Sequence, residues 1–352
     1  MKKLRTTAYV AFTLLVTIFA LPLTSQAQIT LTFSGGDPFF ANNPLAQAAA
    51  QAAADEINAN VDFSWLGAIN NDVLTGVDGG VTVGFDFSTA ISNPSTGLPA
   101  VVTNTQTPTG IVNVVAGART LLPGELGEGG PAITNFTPGG SVFPGGGTVA
   151  GAVANAVANE EHSRGSGPVI ETVGGVFAGG PGIAGAPFSF DQGLRAGSVA
   201  FNDTANFHFD HTTPVAPGTA DFFTVALHEL LHVLGVGTSD TWNSLVSGTN
   251  YLGADGIAAN GGSGTGLVFS DGDHLAQGTL SPRISDGVSQ IAVLDPALAL
   301  GTRRNLTDLD LALVRDLGLK TFPTAAIPEP SSLVLLALGG VAVCVRRRKL
   351  AA

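Results

Sequence analysis

Residues 219–234 place two histidines and one glutamate on an otherwise apolar predicted helix. Thr219 or Asp221 can cap the start of this helix, and Gly235 can end it in a left-handed turn. Polar side chains are costly to bury without partners, so the fold must supply partners for these three. The helix therefore constrains both the core around it and the chemistry at its polar positions.

The spacing of these side chains is typical of a metal site. His228 and His232 are four residues apart, so their imidazoles lie on one helix face and can bind one ion. Glu229 points away from direct coordination but can reach a water on that ion. A zinc ion lowers the pKa of its water toward about 7, and a carboxylate can take up the proton as the water attacks a carbonyl. The pattern predicts a zinc hydrolase with Glu229 as general base; the alternative is a pair of buried structural histidines.

A catalytic zinc normally has three protein ligands, so a third ligand must come from outside the helix. We expect it to be His274, in the turn-rich segment 270–274 downstream. The alternatives in the sequence are His208, His211, Asp240, Asp308 and Asp310. For His208 and His211, which flank Asp210, a structural or solvent-facing role is favoured over a second metal site. His162, beside two glutamates, is expected to be a solvated loop histidine.

The first 27 residues resemble a secretory signal peptide. Three basic residues (Lys2, Lys3 and Arg5) precede an apolar run at 8–21, and Ser25-Gln26-Ala27 offers a small-x-small cleavage site. The run is short for a membrane span. We therefore predict a cleaved signal at residues 1–27.

The last 26 residues form a three-part tail. Pro328-Glu329-Pro330 precedes an apolar run at 331–345, and four basic residues follow at 346–349. The order resembles the PEP-CTERM sorting tail of Gram-negative bacteria, and we assign it to residues 327–352, with a short transmembrane helix. The resemblance implies an exosortase-type processing enzyme as partner and transient membrane association through the tail. It also implies delivery to the cell surface, the exopolysaccharide matrix or the medium.

Between these ends lies a body of residues 28–326 with 8 basic and 26 acidic residues, a net charge of −18. Such a charge argues against nucleic acid and anionic membrane surfaces as partners. It fits calcium binding through carboxylates, or solubility alone. The single cysteine, Cys344, lies in the tail, so the body cannot form a disulfide or use a thiolate as ligand or nucleophile.

Hydrophobic patterning predicts an α+β body. The predicted strands are 29–33, 61–66, 81–87, 169–173 and 197–202, and helices are predicted at 43–58 and 149–159 besides the one described above. Residues from about 120 to 150 are rich in Gly and Pro and are predicted to be an inserted loop region.

From about residue 200 onward the chain resembles the zincin metalloproteases, closest to metzincin-like and leishmanolysin-like proteins. The matching segments are His228-Glu229-x-x-His232-x-x-Gly235, Asp273-His274, Leu294-Asp295-Pro296, and 306–312 ahead of Asp316-Leu317-Gly318. The resemblance implies a zincin-like fold, with a twisted mixed sheet, an active-site helix and a smaller C-terminal subdomain. It implies zinc on His228, His232 and His274.

The chain departs from that family at two positions. Thr238 stands where the compact metzincin motif has its third ligand. The third ligand of this chain is therefore either farther along the sequence, as in leishmanolysin-like proteins, or absent. Leu294 stands where the family has a methionine that packs beneath the metal; the similar volume predicts a mild effect.

The leading hypothesis from the sequence is a secreted zinc endopeptidase acting on protein or peptide substrates. An edge strand near 197–202 would hold extended peptide by strand addition. The alternatives are an inactive zinc-binding surface or exopolysaccharide-matrix protein, and a zinc hydrolase of non-peptide amides or esters.

Overall fold

The structure is a computed structural model that describes residues 28–34, 37–102, 106–142, 146–179 and 184–323. The predicted signal peptide at 1–27 lies outside these ranges, as does the predicted tail at 327–352 with its short transmembrane helix. Within the described ranges, no helix combines the length and the apolar character needed to cross a membrane.

The described part of the chain mixes helices with short and long strands. Its helices are α1 (Pro38–Asn42), α2 (Pro44–Asn60), α3 (Val149–Ala158), α4 (Phe222–Val233), α5 (Asp240–Ser244), α6 (Ala254–Ala259) and α7 (Asp308–Asp316). Its strands are β1 (Gln28–Phe33), β2 (Val61–Asp62), β3 (Val73–Asp78), β4 (Val81–Ser92), β5 (Pro99–Val102), β6 (Ile111–Arg119), β7 (Gly127–Pro131), β8 (Ile133–Val142), β9 (Val169–Phe177), β10 (Ala186–Gly193), β11 (Ala196–Asn202), β12 (Phe207–His208), β13 (Ala220–Asp221), β14 (Val246–Ser247), β15 (Asn250–Tyr251), β16 (Leu280–Pro282), β17 (Ser289–Ile291) and β18 (Lys320–Thr321). The α+β class predicted from the sequence is confirmed.

A four-stranded mixed sheet carries the main core, in the order β1-β6-β11-β7. The first three strands are parallel, and β7 pairs antiparallel with β11 at one edge. Helix α2 packs on β1 and α4, while α4 also packs on β11 and β7. The face of α2 is built of buried alanines, so the two helices approach closely. This packing holds α4 beside the edge strand.

Two sequence predictions about this sheet are wrong. The strand near 197–202 is β11, which lies inside the sheet between β6 and β7 and is not an edge. The region 120–150 is not only loop, because it contains β7 and β8. The sequence of β7 is Gly-Glu-Gly-Gly-Pro, which pairs through its backbone and has no side-chain alternation to reveal it.

A third prediction, one strand over 61–66, is also wrong. Strand β2 ends at Asp62, and a 3₁₀ turn follows over Phe63–Trp65. The Asp62 carboxylate accepts a hydrogen bond from the Ser64 N–H at 3.0 Å, which starts that turn.

A second core, which the sequence analysis did not predict, lies in the N-terminal half. Strand β4 pairs with β3, β5 and β8, and the β9–β10 hairpin and α3 belong to the same cluster. Aromatic rings fill this core; the ring of Phe85 lies 4.8 Å from those of Phe188 and Phe190. These strands come from chain segments before β6 and after β7, and they form sheets and a hydrophobic core separate from those of the main sheet.

Both ends of α4 follow the sequence prediction. The Asp221 carboxylate caps the start by accepting from the Thr224 N–H at 3.1 Å, and Gly235 follows the helix with φ of +99°. Arg303 donates to both oxygens of Asp221 from the C-terminal part of the chain, at 2.7–3.1 Å. At the end of the described chain, β18 returns to pair with β2.

Strand β7 lies unusually close to α4. A β-carbon built on Gly129 would lie 2.3 Å from the backbone oxygen of Glu229, and one on Gly127 would lie 2.7 Å from the Glu229 side chain. A β-carbon on Gly130 would meet no atom within 4 Å. The glycines of this strand therefore have different roles, although they look alike in the sequence.

We expect Gly129→Ala to destabilise the protein and Gly130→Ala to be tolerated. The new methyl at position 129 must displace backbone, which costs about 1–3 kcal/mol of unfolding free energy. At position 130 the change should stay within about 0.5 kcal/mol. Urea unfolding of the two variants measures the difference, and equal stability would contradict the close packing of β7 on α4.

Candidate metal centre

Three histidines from two parts of the chain meet at one point. His228 and His232 project from α4, and His274 comes from the loop after α6. Their Nε2 atoms form a triangle with sides of 3.1 Å, 3.2 Å and 3.3 Å. A tetrahedral zinc with Zn–N bonds of 2.0–2.1 Å requires nitrogens about 3.3–3.4 Å apart. The triangle therefore fits one tetrahedral ion.

The second nitrogen of each ring is hydrogen-bonded away from the triangle. Nδ1 of His228 donates to the Val293 carbonyl, Nδ1 of His232 to the Val236 carbonyl, and Nδ1 of His274 to the Asp271 carboxylate, each at 2.8 Å. Because these acceptors keep the proton on Nδ1, each Nε2 presents a lone pair. Three neutral Nε2 atoms cannot hydrogen-bond to one another, so their approach is favourable only around a cation.

The turn after α4 supplies one of these acceptors. Gly237 has φ of +76°, and a β-carbon on it would lie 2.3 Å from the Asp273 carbonyl oxygen and 3.0 Å from Nδ1 of His232. Only glycine fits this turn, which brings the Val236 carbonyl under His232. Thr238 lines the cleft beside it and donates to the His232 carbonyl at 2.7 Å.

The loop that carries His274 is fixed at several points. Asp271 accepts from the His274 ring and from the Asp273 N–H at 2.9 Å, so one carboxylate sets both the loop and the imidazole. The indole of Trp242, which is fully buried, donates to the Gly272 carbonyl at 2.8 Å. These bonds hold the third histidine although it lies 42 residues beyond His232.

A buried carboxylate holds the segment beneath the histidines. Asp310 is fully buried at the start of α7 and accepts from the N–H groups of Val293 and Leu294 at 3.2 Å and 3.4 Å. Leu294 is itself fully buried, and its carbonyl accepts from the Leu275 N–H at 3.0 Å. Residues 293–294 therefore connect α7, His228 and the His274 loop.

Glu229 is 6 % exposed and faces the same cleft as the histidines. Burial raises the pKa of its carboxyl to about 8, and the nearby Glu128 carboxylate adds to the shift. Burial likewise lowers the pKa of His232 to about 4 and that of His228 well below its usual value. At neutral pH His228 and His232 are therefore neutral in the metal-free site, which is the form that binds a metal.

The cleft above the histidines has a volume of about 730 Å³. Residues 124–129, which run into β7, form one wall, and Val293 with residues 295–298 forms the other. A neighbouring cavity of about 460 Å³ shares Gly124, Glu125, Leu126 and Leu300 with it. The two cavities adjoin at these residues and together make a groove that runs from the histidines past the start of β7.

The rival ligands lie away from this triangle. His208 bonds to the Asp210 carbonyl, His211 stacks near Phe223, and Asp240 accepts from the Thr172 N–H. Asp308 and Asp310 belong to the first turn of α7. In the part of the chain that the structure describes, the three histidines are the one group of three or more His, Cys, Asp or Glu side chains placed to share a metal. Calcium binding stays a prediction.

The prediction for His162 is wrong. This histidine is 1 % exposed, and its ring stacks on Phe87 with centroids 4.0 Å apart. The second core, absent from the sequence analysis, encloses it. The acidic neighbour Glu160 lies 3.3 Å from its Nδ1.

Comparison with known proteins identifies the tail. Residues 326–349 match the PEP-CTERM protein-sorting motif. The protein is therefore exported to the cell surface or the extracellular space of a Gram-negative bacterium, and an exosortase, which recognises this motif, is its processing partner. Searches of curated proteins and of solved structures returned no match to the chain.

We expect His274→Ala to weaken zinc binding by at least about 100-fold, since loss of a ligand should exceed the 10–100-fold effect of losing a supporting hydrogen bond. His208→Ala, which removes a histidine outside the triangle, serves as the control and should bind zinc as the parent does. Competitive titration with a chromogenic chelator measures both. Equal affinity of His274→Ala and the parent would remove His274 from the site.

A second prediction concerns the stability of the metal-free protein. The folded-state pKa of Glu229, about 8, lies above the ordinary value of 4.5 for a glutamate. Between about pH 4.5 and 8 the folded state therefore keeps a proton that the unfolded state has lost, so stability falls as pH rises over this range and levels off above about 8. Glu229→Gln removes this titration. We expect the urea midpoint of the parent to fall from pH 6.5 to 9, and that of Glu229→Gln to fall less; parallel curves would contradict the raised pKa.

Proposed function

We propose that this protein is a zinc-dependent endopeptidase with a zincin-type fold. The observation that carries the proposal is the triangle of three Nε2 lone pairs with the Glu229 carboxylate on the same cleft. Imidazole ligands in a tetrahedral arrangement suit zinc, and three protein ligands leave one position open for water or substrate.

The arrangement of the main sheet supports the zincin assignment. Helix α4, with both motif histidines, packs on a mixed sheet whose edge strand β7 runs antiparallel to its neighbour. Leu294 is buried in the segment that accepts the His228 hydrogen bond, where the resemblance expects a methionine that packs beneath the metal. A leucine of similar volume can fill that position.

The chemistry would divide between the ion and Glu229. When bound, zinc supplies Lewis acidity that activates water and polarises a carbonyl. Glu229 then accepts the proton of the attacking water and can pass it to the leaving amine. Without a cation, burial and the nearby Glu128 carboxylate raise the pKa of Glu229 to about 8. A cation beside it favours the ionised form that a base requires.

Strand β7 favours a polypeptide as substrate. Leu126 accepts from the Asn202 N–H and the Ala132 N–H donates to Ala196, so the even-numbered residues face β11. In an antiparallel pair the facing direction alternates, so the backbone groups of Gly127 and Gly129 point away from β11 toward the open edge, where the Gly129 N–H donates to the Glu229 carboxylate. An extended peptide can add to this edge directly above Glu229. A small amide or ester would leave most of the groove empty.

We expect Glu229→Gln to keep its zinc and to lower kcat on an unstructured protein such as casein by about 10²–10⁴-fold, the contribution of a general base. Zinc content by atomic absorption and release of peptides by fluorescence are measured on the same sample. The control is Asp86→Asn, which changes an exposed carboxylate on β4 that does not line the cleft. This variant should keep full activity.

Two outcomes would contradict the proposal. Undiminished turnover by Glu229→Gln would remove the base. Stoichiometric zinc in a parent protein that hydrolyses no protein or peptide would favour the alternative, an inactive zinc-binding surface or exopolysaccharide-matrix protein, which the sorting motif also fits.

A further inference from the structure

Glu125 occupies the junction of the two cavities that form the groove. It lines both the cavity above the histidines and the neighbouring one. Leu126 and Leu300 line both cavities as well, and Leu300 is 61 % exposed. A ligand that extends from the histidines into the neighbouring cavity would contact both an apolar surface and a carboxylate.

The backbone at Glu125 is held in place. The Asn202 side-chain amide donates to the Glu125 carbonyl at 2.7 Å, and the Glu125 N–H donates to the Leu122 carbonyl at 3.0 Å. The carboxylate accepts from the Leu122 N–H at 3.2 Å. These hydrogen bonds of the turn therefore fix the position of the Glu125 carboxylate, although the residue is exposed.

No basic side chain of the described residues pairs with this carboxylate. Five arginines pair with other carboxylates: Arg119 with Glu128, Arg283 with Asp286, Arg303 with Asp221, Arg304 with Asp295, and Arg315 with Asp255. Arg164 donates to four backbone carbonyls, Arg195 to Thr89, Thr134 and Gln192, and Lys320 lies over the ring of Trp65. These are all eight basic residues of the body, so a cation beside Glu125 has to come from a ligand.

The topology gives the groove a direction. A peptide that pairs antiparallel with β7 runs from its Pro131 end toward its Gly127 end, and residues 124–126 lie just beyond Gly127. The residues that follow the cleaved bond therefore lie toward Glu125. Antiparallel pairing is the slightly more stable arrangement per residue, which favours this direction over the reverse.

We propose that Glu125 selects a lysine or arginine on the C-terminal side of the bond that the protein cleaves. This proposal rests on the proposed endopeptidase function. The long aliphatic part of such a side chain can lie along Leu126 and Leu300 while its charged end reaches the carboxylate. The substrates would thus be basic polypeptides. The body itself, with a net charge of −18 and all its cations engaged, would be a poor substrate for its own cleft.

The test uses the zinc-loaded exported protein and peptides whose cleaved bond is mapped by mass spectrometry. Each of the three residues after that bond is made lysine or its uncharged isostere norleucine. At one of these positions we expect kcat/KM for the lysine peptide to exceed that for norleucine by about fivefold, the size of a partly exposed ion pair. Glu125→Gln should abolish this ratio, and Asp86→Asn should leave it unchanged. An unchanged ratio in Glu125→Gln would overturn the proposal.

A binding measurement separates this proposal from the proposed function. Two proteins are titrated with fluorescent lysine and norleucine peptides. One is Glu229→Gln, which should bind peptide without cleaving it, and the other carries Glu125→Gln as well. We expect the lysine peptide to bind about fivefold tighter only when Glu125 is present. Equal binding of the two peptides would overturn the role of Glu125. Selective binding together with a parent that cleaves neither peptide would support Glu125 and contradict the endopeptidase.

Discussion

The convergence of three unprotonated imidazole nitrogens is the constraint on which the rest of the site depends. Each Nε2 lies within 3.3 Å of the other two, and each ring gives its only proton to an acceptor outside the triangle. Without a cation, three lone pairs would face one another. With a cation between them, the three lone pairs would coordinate it, and the hydrogen bonds at Nδ1 hold every ring in the orientation for binding.

The three acceptors belong to three different segments, so an ion would link much of the C-terminal half. Val236 follows α4, Asp271 lies in the His274 loop, and Val293 belongs to the segment held by Asp310. The body has no cysteine with which to cross-link these segments covalently. A metal bound at the triangle would contribute its binding free energy to the fold, in the manner of a cross-link between α4 and the His274 loop.

Strand β7 combines two features that the proposed function requires. Its backbone comes close enough to α4 to border the histidine site, and its outer edge is not paired with another described strand. Glycine at 127 and 129 allows the close approach, and pairing with β11 on one side leaves the other side free. The groove that results has carboxylates at its rim and no free cation among the described residues, so its charge favours basic ligands.

The sequence by itself determined the α4 helix with its Asp221 cap, its Gly235 end, and its two histidines and glutamate, because helix periodicity and capping depend on neighbouring residues. It also determined the class of the fold and the sorting tail. It also pointed to His274 among several candidates. Only the tertiary structure decided that His274 meets the other two and that His162 is buried. It also decided which strand borders the cleft. The central strand β6 and the glycine-rich β7 escaped sequence analysis because strands are defined by pairing with distant residues. The acceptors at Val236 and Val293 are backbone carbonyls, which every residue has, so the sequence does not reveal them either.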